Sequence, residues 1–427
     1  MSSVTTVAYP NASPLAHRGL TVSVASLGRL GVFLAIMASG IVFTEPAPVD
    51  LLMLGLVLTL PLLGLQRHAP GTALQLLLWL GCGVGALIAS GVSREIGDSA
   101  RHTAISFYLY AAFLVLASYV TLNPERHARL ILNAWVIAAL IAAGAGLAGY
   151  FHLVPGAHDL FTRYGRATGT FKDPNVLGPF LVPAILFLSH RLIYRETRWP
   201  LAALAGLGAL VGAVLLSFSR GAWFNLAVTA VLYGALTLVI VGTPRARARL
   251  VLLAMIGTLL AVAALLAALQ IDEVSRLLAE RSTLAQDYDV GPQGRFGGQA
   301  KAIGLIIAHP LGLGAGQFST HHHPEDVHNV YLSMFLNAGW LGGLLYIAAV
   351  TTTLALGFRH AMRSTPTRPL FLIAFCAFAG NVLEGAIIDT DHWRHFYILL
   401  AVMWGLMGAG GVKSSKATSV RTAGSSG

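Results

Sequence analysis

Long apolar runs recur along the chain, separated by short polar connections. They fall near residues 26–44, 49–65, 72–92, 103–121, 128–150, 175–194, 199–218, 221–242, 249–270, 329–357, 369–388 and 395–412. A stretch of about 17–25 apolar residues matches the thickness of a bilayer's hydrocarbon core when helical. Helices are required, because backbone amides in lipid must be satisfied within the segment. The pattern predicts an all-α, polytopic integral membrane protein of about twelve transmembrane helices.

The polar connections fall into two alternating sets. One holds Arg67; Arg126 and Arg129; Arg191, Arg195 and Arg198; Arg245, Arg247 and Arg249; Arg359, Arg363 and Arg368; and Lys413 and Lys416. The other is shorter or more mixed in charge. Basic residues concentrate in cytoplasmic connections, so the first set is expected inside, with both termini. Arg18 and Arg29 ahead of an apolar run loosely imitate a secretory signal, but the charge alternation needs that run retained as the first span. The expected divisions are a cytoplasmic segment over 1–25, nine spans over 26–270, an outward helical loop over 271–328, three spans over 329–412 and a disordered cytoplasmic tail over 413–427.

The loop between spans nine and ten is the longest non-spanning segment. It opens on "DEVSRLLAERSTLAQDY", with Val274, Leu277, Leu278 and Leu284 at helical spacing. After the turn "DVGPQG", the stretch "RFGGQAKAIGLIIA" reads as a second helix stopped at His309-Pro310. Gly-, Ser- and His-rich residues follow. Long loops with helices of their own are usually functional.

Composition agrees with a membrane protein. Of 427 residues 56% are hydrophobic and 11% charged, against about a quarter charged in soluble domains. The net charge of +10 sits mostly in short connections, so it reports topology rather than nucleic-acid binding. Cys82 and Cys376 each lie inside an apolar run, where small core residues are expected.

Candidate chemistry lies in the outward set. Arg163, Arg166 and Lys172 precede span six, Arg295 and Lys301 lie in the long loop, and Arg394 precedes the last span. Arg220, in "LLSFSRGAWF", has almost no loop around it and is held at the membrane surface, where a charge is usually functional. Guanidinium groups form paired hydrogen bonds with phosphate, so this set suits a phosphate or diphosphate. The turn residues of "RYGRATGTFKDPNVLGPF" lead into a span whose N-terminus suits an anion or is an ordinary capped start. In "STHHHPEDVHNVYL", consecutive histidines diverge and lack metal-ligand spacing, so His321, His322 and His323 read as a solvated rim and no metal site is expected. His328 stands where the loop meets an apolar span, as a general base or a helix-start residue. Asn329 lies at the expected helix start. Glu384 and Asp389, in "NVLEGAIIDTDHW", are structural or orienting.

The order of "SFSRG" at a span junction, "GRFGGQAKAIGLIIAHPLGLGAGQF", and "VHNVYL" leading into a span resembles the O-antigen ligase/polymerase superfamily. The resemblance implies a GT-C-like membrane glycosyltransferase of the bacterial inner membrane, with its active site facing the periplasm. It moves a glycan from undecaprenyl diphosphate to an acceptor. It implies that His328 is catalytic, with Arg220 and Arg295 on the donor diphosphate. Arg163, Arg166, Lys172, Lys301 and Asn329 would bind substrate. The compact chain favours a ligase using lipid A–core as acceptor, with a polymerase using a lipid-linked repeat as the alternative. A transporter or flippase of lipid-linked glycan is the rival from another class. No metal, cofactor or nucleic acid is expected; membrane lipids, donor and acceptor are the partners.

Overall fold

The computed structural model describes residues 23–68, 71–240, 243–268, 270 and 291–423. In chain order its helices are α1 (Val24–Ala38), α2 (Pro48–Leu62), α3 (Thr72–Val92), α4 (Ile96–Leu122), α5 (Pro124–Tyr150), α6 (Ala157–Phe161), α7 (Pro174–Ile193), α8 (Pro200–Leu216), α9 (Arg220–Ile240), α10 (Pro244–Ala268), α11 (Arg295–Ala308), α12 (Gln317–His321), α13 (Val330–Ala361), α14 (Arg368–Glu384) and α15 (Arg394–Ala423). A hairpin of β1 (Thr162–Arg163) and β2 (Arg166–Ala167) follows α6. The protein is an all-α polytopic membrane protein. Among the described residues, α3, α4, α5, α7, α9 and α13 are long and apolar enough to cross a membrane, and α1, α2 and α8 are shorter apolar helices.

Each apolar run of the sequence carries a helix, some of them short. Proline is the first residue of α2, α5, α7, α8 and α10, the position where its fixed φ helps and its missing N–H costs nothing. α11 spans the residues predicted for it. The amphipathic helix expected near 272–288 lies outside the described residues. α4 starts at Ile96, a turn or more before the apolar run, so Asp98, Arg101 and His102 stand on a helix rather than in a connection. α15 continues to Ala423, past the boundary at 413 where a disordered tail was expected. The segment after Gly411 contains no proline, and extending an existing helix avoids the nucleation cost.

One feature of α13 has no counterpart in the hydropathy. Gly339 has φ 65° and ψ −172°, so the helix is two helices joined at a break. The loop 309–316 docks into that break. Leu313 N–H and Gly314 N–H donate to the carbonyl of Leu336 at 2.7 and 3.2 Å, and Trp340 N–H donates to Pro310 O at 2.9 Å. Backbone groups freed by the break are thus satisfied by the loop, as burial demands. A Cβ on Gly312 would lie 2.7 Å from Gly339 N, and one on Gly339 2.7 Å from Leu311 O. The Leu-Gly-Leu-Gly run after His309-Pro310 is therefore a close-approach surface. From the other side, Ser99 Oγ accepts from Ala315 N–H at 3.0 Å and shares a hydrogen bond with Ser90 Oγ at 2.8 Å.

Alternate connections gather at one end of the bundle. Val42 N–H reaches Thr170 O at 2.8 Å, and Val330 N–H reaches Gly385 O at 2.8 Å. Arg166 Nε reaches Ser217 O at 2.7 Å. The other end carries its own ion pairs, such as Arg129 with Glu196 at 2.7 Å. One large core, with Trp79, Trp135 and Phe180 fully buried, fills the bundle. A second, smaller core of Ala302, Ile306, Phe318, Val327 and Leu336 lies beneath α11. Cys82 and Cys376 are buried free thiols.

Candidate functional site

His328 sits two residues before α13 with φ 51°. That left-handed conformation costs a non-glycine residue about 1–2 kcal/mol, so its surroundings must hold it. Its N–H donates to Asp389 Oδ2 at 3.1 Å, and Asp389 Oδ1 accepts from Ser333 Oγ at 2.5 Å. Asn329 is the N-cap, its Oδ1 accepting from Tyr331 N–H at 3.1 Å and Leu332 N–H at 3.2 Å. Its Nδ2 donates to Ala386 O at 3.1 Å. Asn329 was expected to bind substrate, but both ends of its amide are occupied by backbone, which makes it a scaffold residue. The imidazole is thereby aimed by the backbone on either side. Its Nε2 lies 3.9 Å from Glu325 Oε2, too far for a hydrogen bond. Burial first, then the Arg295 cation, hold the His328 imidazolium below the ordinary histidine range, so the neutral ring able to accept a proton is favoured.

Burial pushes the Asp389 carboxyl up to about 7, with the Asp391 charge adding to it. Asp389 was expected to be structural or orienting, and its two hydrogen bonds make it the group that fixes the His328 backbone.

Arg220 is half-buried at the first residue of α9, after a junction in which Phe218 has φ 45°. Beside it, Gly221 packs against Glu384; an added Cβ would come 2.8 Å from Glu384 Oε1. Glu384 is fully buried, and Asn225 Nδ2 donates to its Oε2 at 2.7 Å and to Asn381 Oδ1 at 2.8 Å. The next residue, Gly385, accepts from Val330 N–H. The Arg220 junction and His328 are thus both braced against the Glu384–Gly385 corner.

Arg295 is the first residue of α11, half-buried, and acts electrostatically on His328. A cation at a helix N-terminus opposes the helix dipole by about 0.3–1 kcal/mol, so two arginines at first positions are not there for helix stability. Guanidinium groups at two helix starts suit an anion. The "FGG" that follows has a packing reason: a Cβ on Gly297 would strike Gly291 O at 2.3 Å, and one on Gly298 the His323 ring at 3.0 Å. Lys301 donates to the carbonyl of His322 and so ties α11 to the histidine loop.

The 163–175 segment separates into two parts. Arg163 and Lys172 are exposed; Arg163 lies over the Tyr164 ring at 5.1 Å, and Lys172 pairs with Glu45 at 3.7 Å. Tyr164 (φ 52°) and Gly165 (φ 66°) form the two-residue hairpin turn. Arg166 is only 8% exposed, and its NH2 reaches Asn175 Oδ1 at 2.8 Å, so it joins the hairpin to α7 and the Arg220 junction. Asp173 caps α7 through Asn175 N–H and acts electrostatically on His328. Arg394 forms a two-pronged pair with Asp50 at 2.7 and 2.7 Å and braces α15 against α2.

The histidine triplet is not uniformly a solvated rim. His323 is buried and stacks on Phe318, while His321 pairs with Glu95 at 3.3 Å. A separate group, His102, Asp391 and His392, places three possible metal-ligating side chains together. The two rings stack at 3.8 Å, and Ser106 Oγ engages His392 Nε2 at 2.9 Å. Sequence reading missed His102, His392, Ser333 and Asn225. Only Asn225, one helical turn beyond Gly221, carried a signal: an amide in an otherwise apolar run.

Residues 203–347 match the family model described as O-antigen ligase. The match contains Arg220, Arg295, Lys301, His328 and Asn329; Arg163, Arg166, Lys172, Glu384 and Asp389 lie outside it. No curated protein matches the chain. Over these residues the chain is similar to the O-antigen ligase family.

Proposed function

We propose that the protein transfers a polysaccharide from undecaprenyl diphosphate to a hydroxyl of lipid A–core, on the periplasmic face of the bacterial inner membrane. The observation that carries this reading is His328, fixed in a strained conformation within the electrostatic reach of Arg295, on the corner that also braces Arg220. Arg220 and Arg295 hold the diphosphate; each charge-assisted hydrogen bond contributes about 1.5–3 kcal/mol when shielded from water. His328 accepts the proton of the acceptor hydroxyl as its oxygen attacks the anomeric carbon. The bond from that carbon to the diphosphate oxygen breaks, and its electron pair leaves on a diphosphate already stabilised by the arginines. Attack opposite the leaving group inverts the anomer. Arg163 and Lys172, exposed at the hairpin, extend the cationic surface. Neither a metal nor a cofactor has a part in this scheme.

Purified protein incubated with undecaprenyl diphosphate-linked polysaccharide and lipid A–core, in chelator, tests it. The expected product is glycosylated lipid A–core. Longer glycan on the lipid carrier with untouched lipid A–core would instead identify a polymerase. Movement of donor across liposomes with no bond formed would identify a transporter, and full dependence on a divalent metal would overturn the mechanism.

A further inference from the structure

A cavity of about 360 Å³ opens between the α3–α4 connection and the loop 309–316. It shares no lining residue with the surroundings of His328. Arg94, His309, His321 and His322 all line it, and Lys301 stands behind His322. The single carboxylate paired with this group among the described contacts is Glu95, on His321. Burial, then Lys301, Arg94, His309 and His321 in turn, hold the His322 imidazolium below its ordinary range. Arg94 and Lys301 therefore place positive charge beside the imidazoles of one space, which suits an anion.

Gln317 adds a second and independent observation. It lines the same cavity, is 2% exposed, and neither its amide nitrogen nor its amide oxygen has a hydrogen-bond partner. A buried amide left unsatisfied costs about 1–3 kcal/mol. A hydroxyl, which donates and accepts at once, satisfies both of its ends. The floor of the cavity is the loop seated in the Gly339 break, so the site is pre-formed, and the volume lies in the range of small-ligand pockets.

We propose that this cavity binds a phosphate-bearing saccharide, with the phosphate on Arg94 and the histidines and sugar hydroxyls on Gln317. As the subsite for the acceptor glycan, it rests on the transferase reading above. It lies across the docked 309–316 loop from α13, so an acceptor seated there is held by a surface separate from the donor's arginines.

Titration calorimetry on the full chain in detergent tests it, with glucose 6-phosphate, inorganic phosphate and glucose as probes. Glucose 6-phosphate is expected to bind about tenfold or more tightly than either of the others, because each provides only one half of the contacts. Arg94→Gln and Gln317→Leu each weaken it by about tenfold, while His328→Ala leaves it unchanged. Gln317→Leu also raises the thermal midpoint, since it removes an unpaired buried amide; a merely structural glutamine would give a lower midpoint. Undiminished binding in the folded Arg94→Gln variant, or no binding of glucose 6-phosphate at millimolar concentration, would overturn the site. Equal affinity for inorganic phosphate and glucose 6-phosphate would overturn its assignment to a saccharide. The titration requires no turnover. A blank titration beside His328-dependent transfer therefore rejects this site alone, whereas binding without transfer rejects the transferase reading alone.

Discussion

The backbone N–H of His328 donates to the carboxylate of Asp389 at 3.1 Å, across 61 positions of sequence. The same carboxylate holds Ser333 Oγ, one turn into α13. A single acid on the α14–α15 connection therefore sets both the strained backbone of the histidine and the first turn of the helix behind it.

This coupling predicts a pH dependence. With the Asp389 carboxyl pushed up to about 7, it gains a proton as pH falls through 7 and becomes a weaker acceptor for the His328 N–H. His328 itself, held below its ordinary range, stays neutral to lower pH and then charges. Transfer should begin to fall near pH 7, and Asp389→Asn, which removes the first ionisation, should move the acid limb below the ordinary histidine range. Superimposable kcat/KM profiles for the two proteins would show that Asp389 does not govern His328.

His328→Gly and His328→Ala should separate stability from catalysis. Glycine adopts φ 51° freely, so it should be more stable than alanine by about 1 kcal/mol, measured as denaturation midpoint in detergent. Both variants lack the imidazole and should be equally inactive.

The α13 break predicts an asymmetry among glycines. Gly339→Ala forces a side chain onto Leu311 O at φ 65° and should destabilise the protein by about 1–3 kcal/mol, with loss of transfer as the 309–316 loop is displaced. Gly144→Ala on α5 meets nothing within 4 Å and should be neutral or stabilising. Thermal midpoints of the two variants decide it.

Glu384 predicts a further contrast. Asn225→Ala leaves Glu384 Oε2 without its amide donor and should cost about 1–3 kcal/mol, while the double variant Asn225→Ala with Glu384→Leu should recover part of that loss. Gly221→Ala, whose Cβ would press on Glu384, should reduce transfer by moving Arg220. Unaltered activity in Gly221→Ala would detach Glu384 from the site.

The helices were legible because a bilayer imposes length and polarity on them directly: the runs at 72–92 and 175–194 are nearly the helices Thr72–Val92 and Pro174–Ile193. Helix α11 was legible from its stop at His309-Pro310. The break at Gly339 was not, because "LNAGWLGG" sits inside a long apolar run and the loop docked into the break lies some 25 residues earlier in the chain. Nor did local sequence show that Asn329 reaches Ala386 and Arg166 reaches Ser217, since these partners come from other connections. Single histidines were separable by context only in part: His328 by its position at a span, but not His323, whose burial depends on Gly298 of α11.

In the proposed mechanism His328 performs the transfer while Arg220 and Arg295 hold the donor. It is tested most directly by single-turnover transfer with purified His328→Ala and pre-bound undecaprenyl diphosphate-linked glycan. Donor binding should match the unsubstituted protein, and transfer to lipid A–core should fall by about 10²–10⁴. Transfer by His328→Ala at the unsubstituted rate would contradict it.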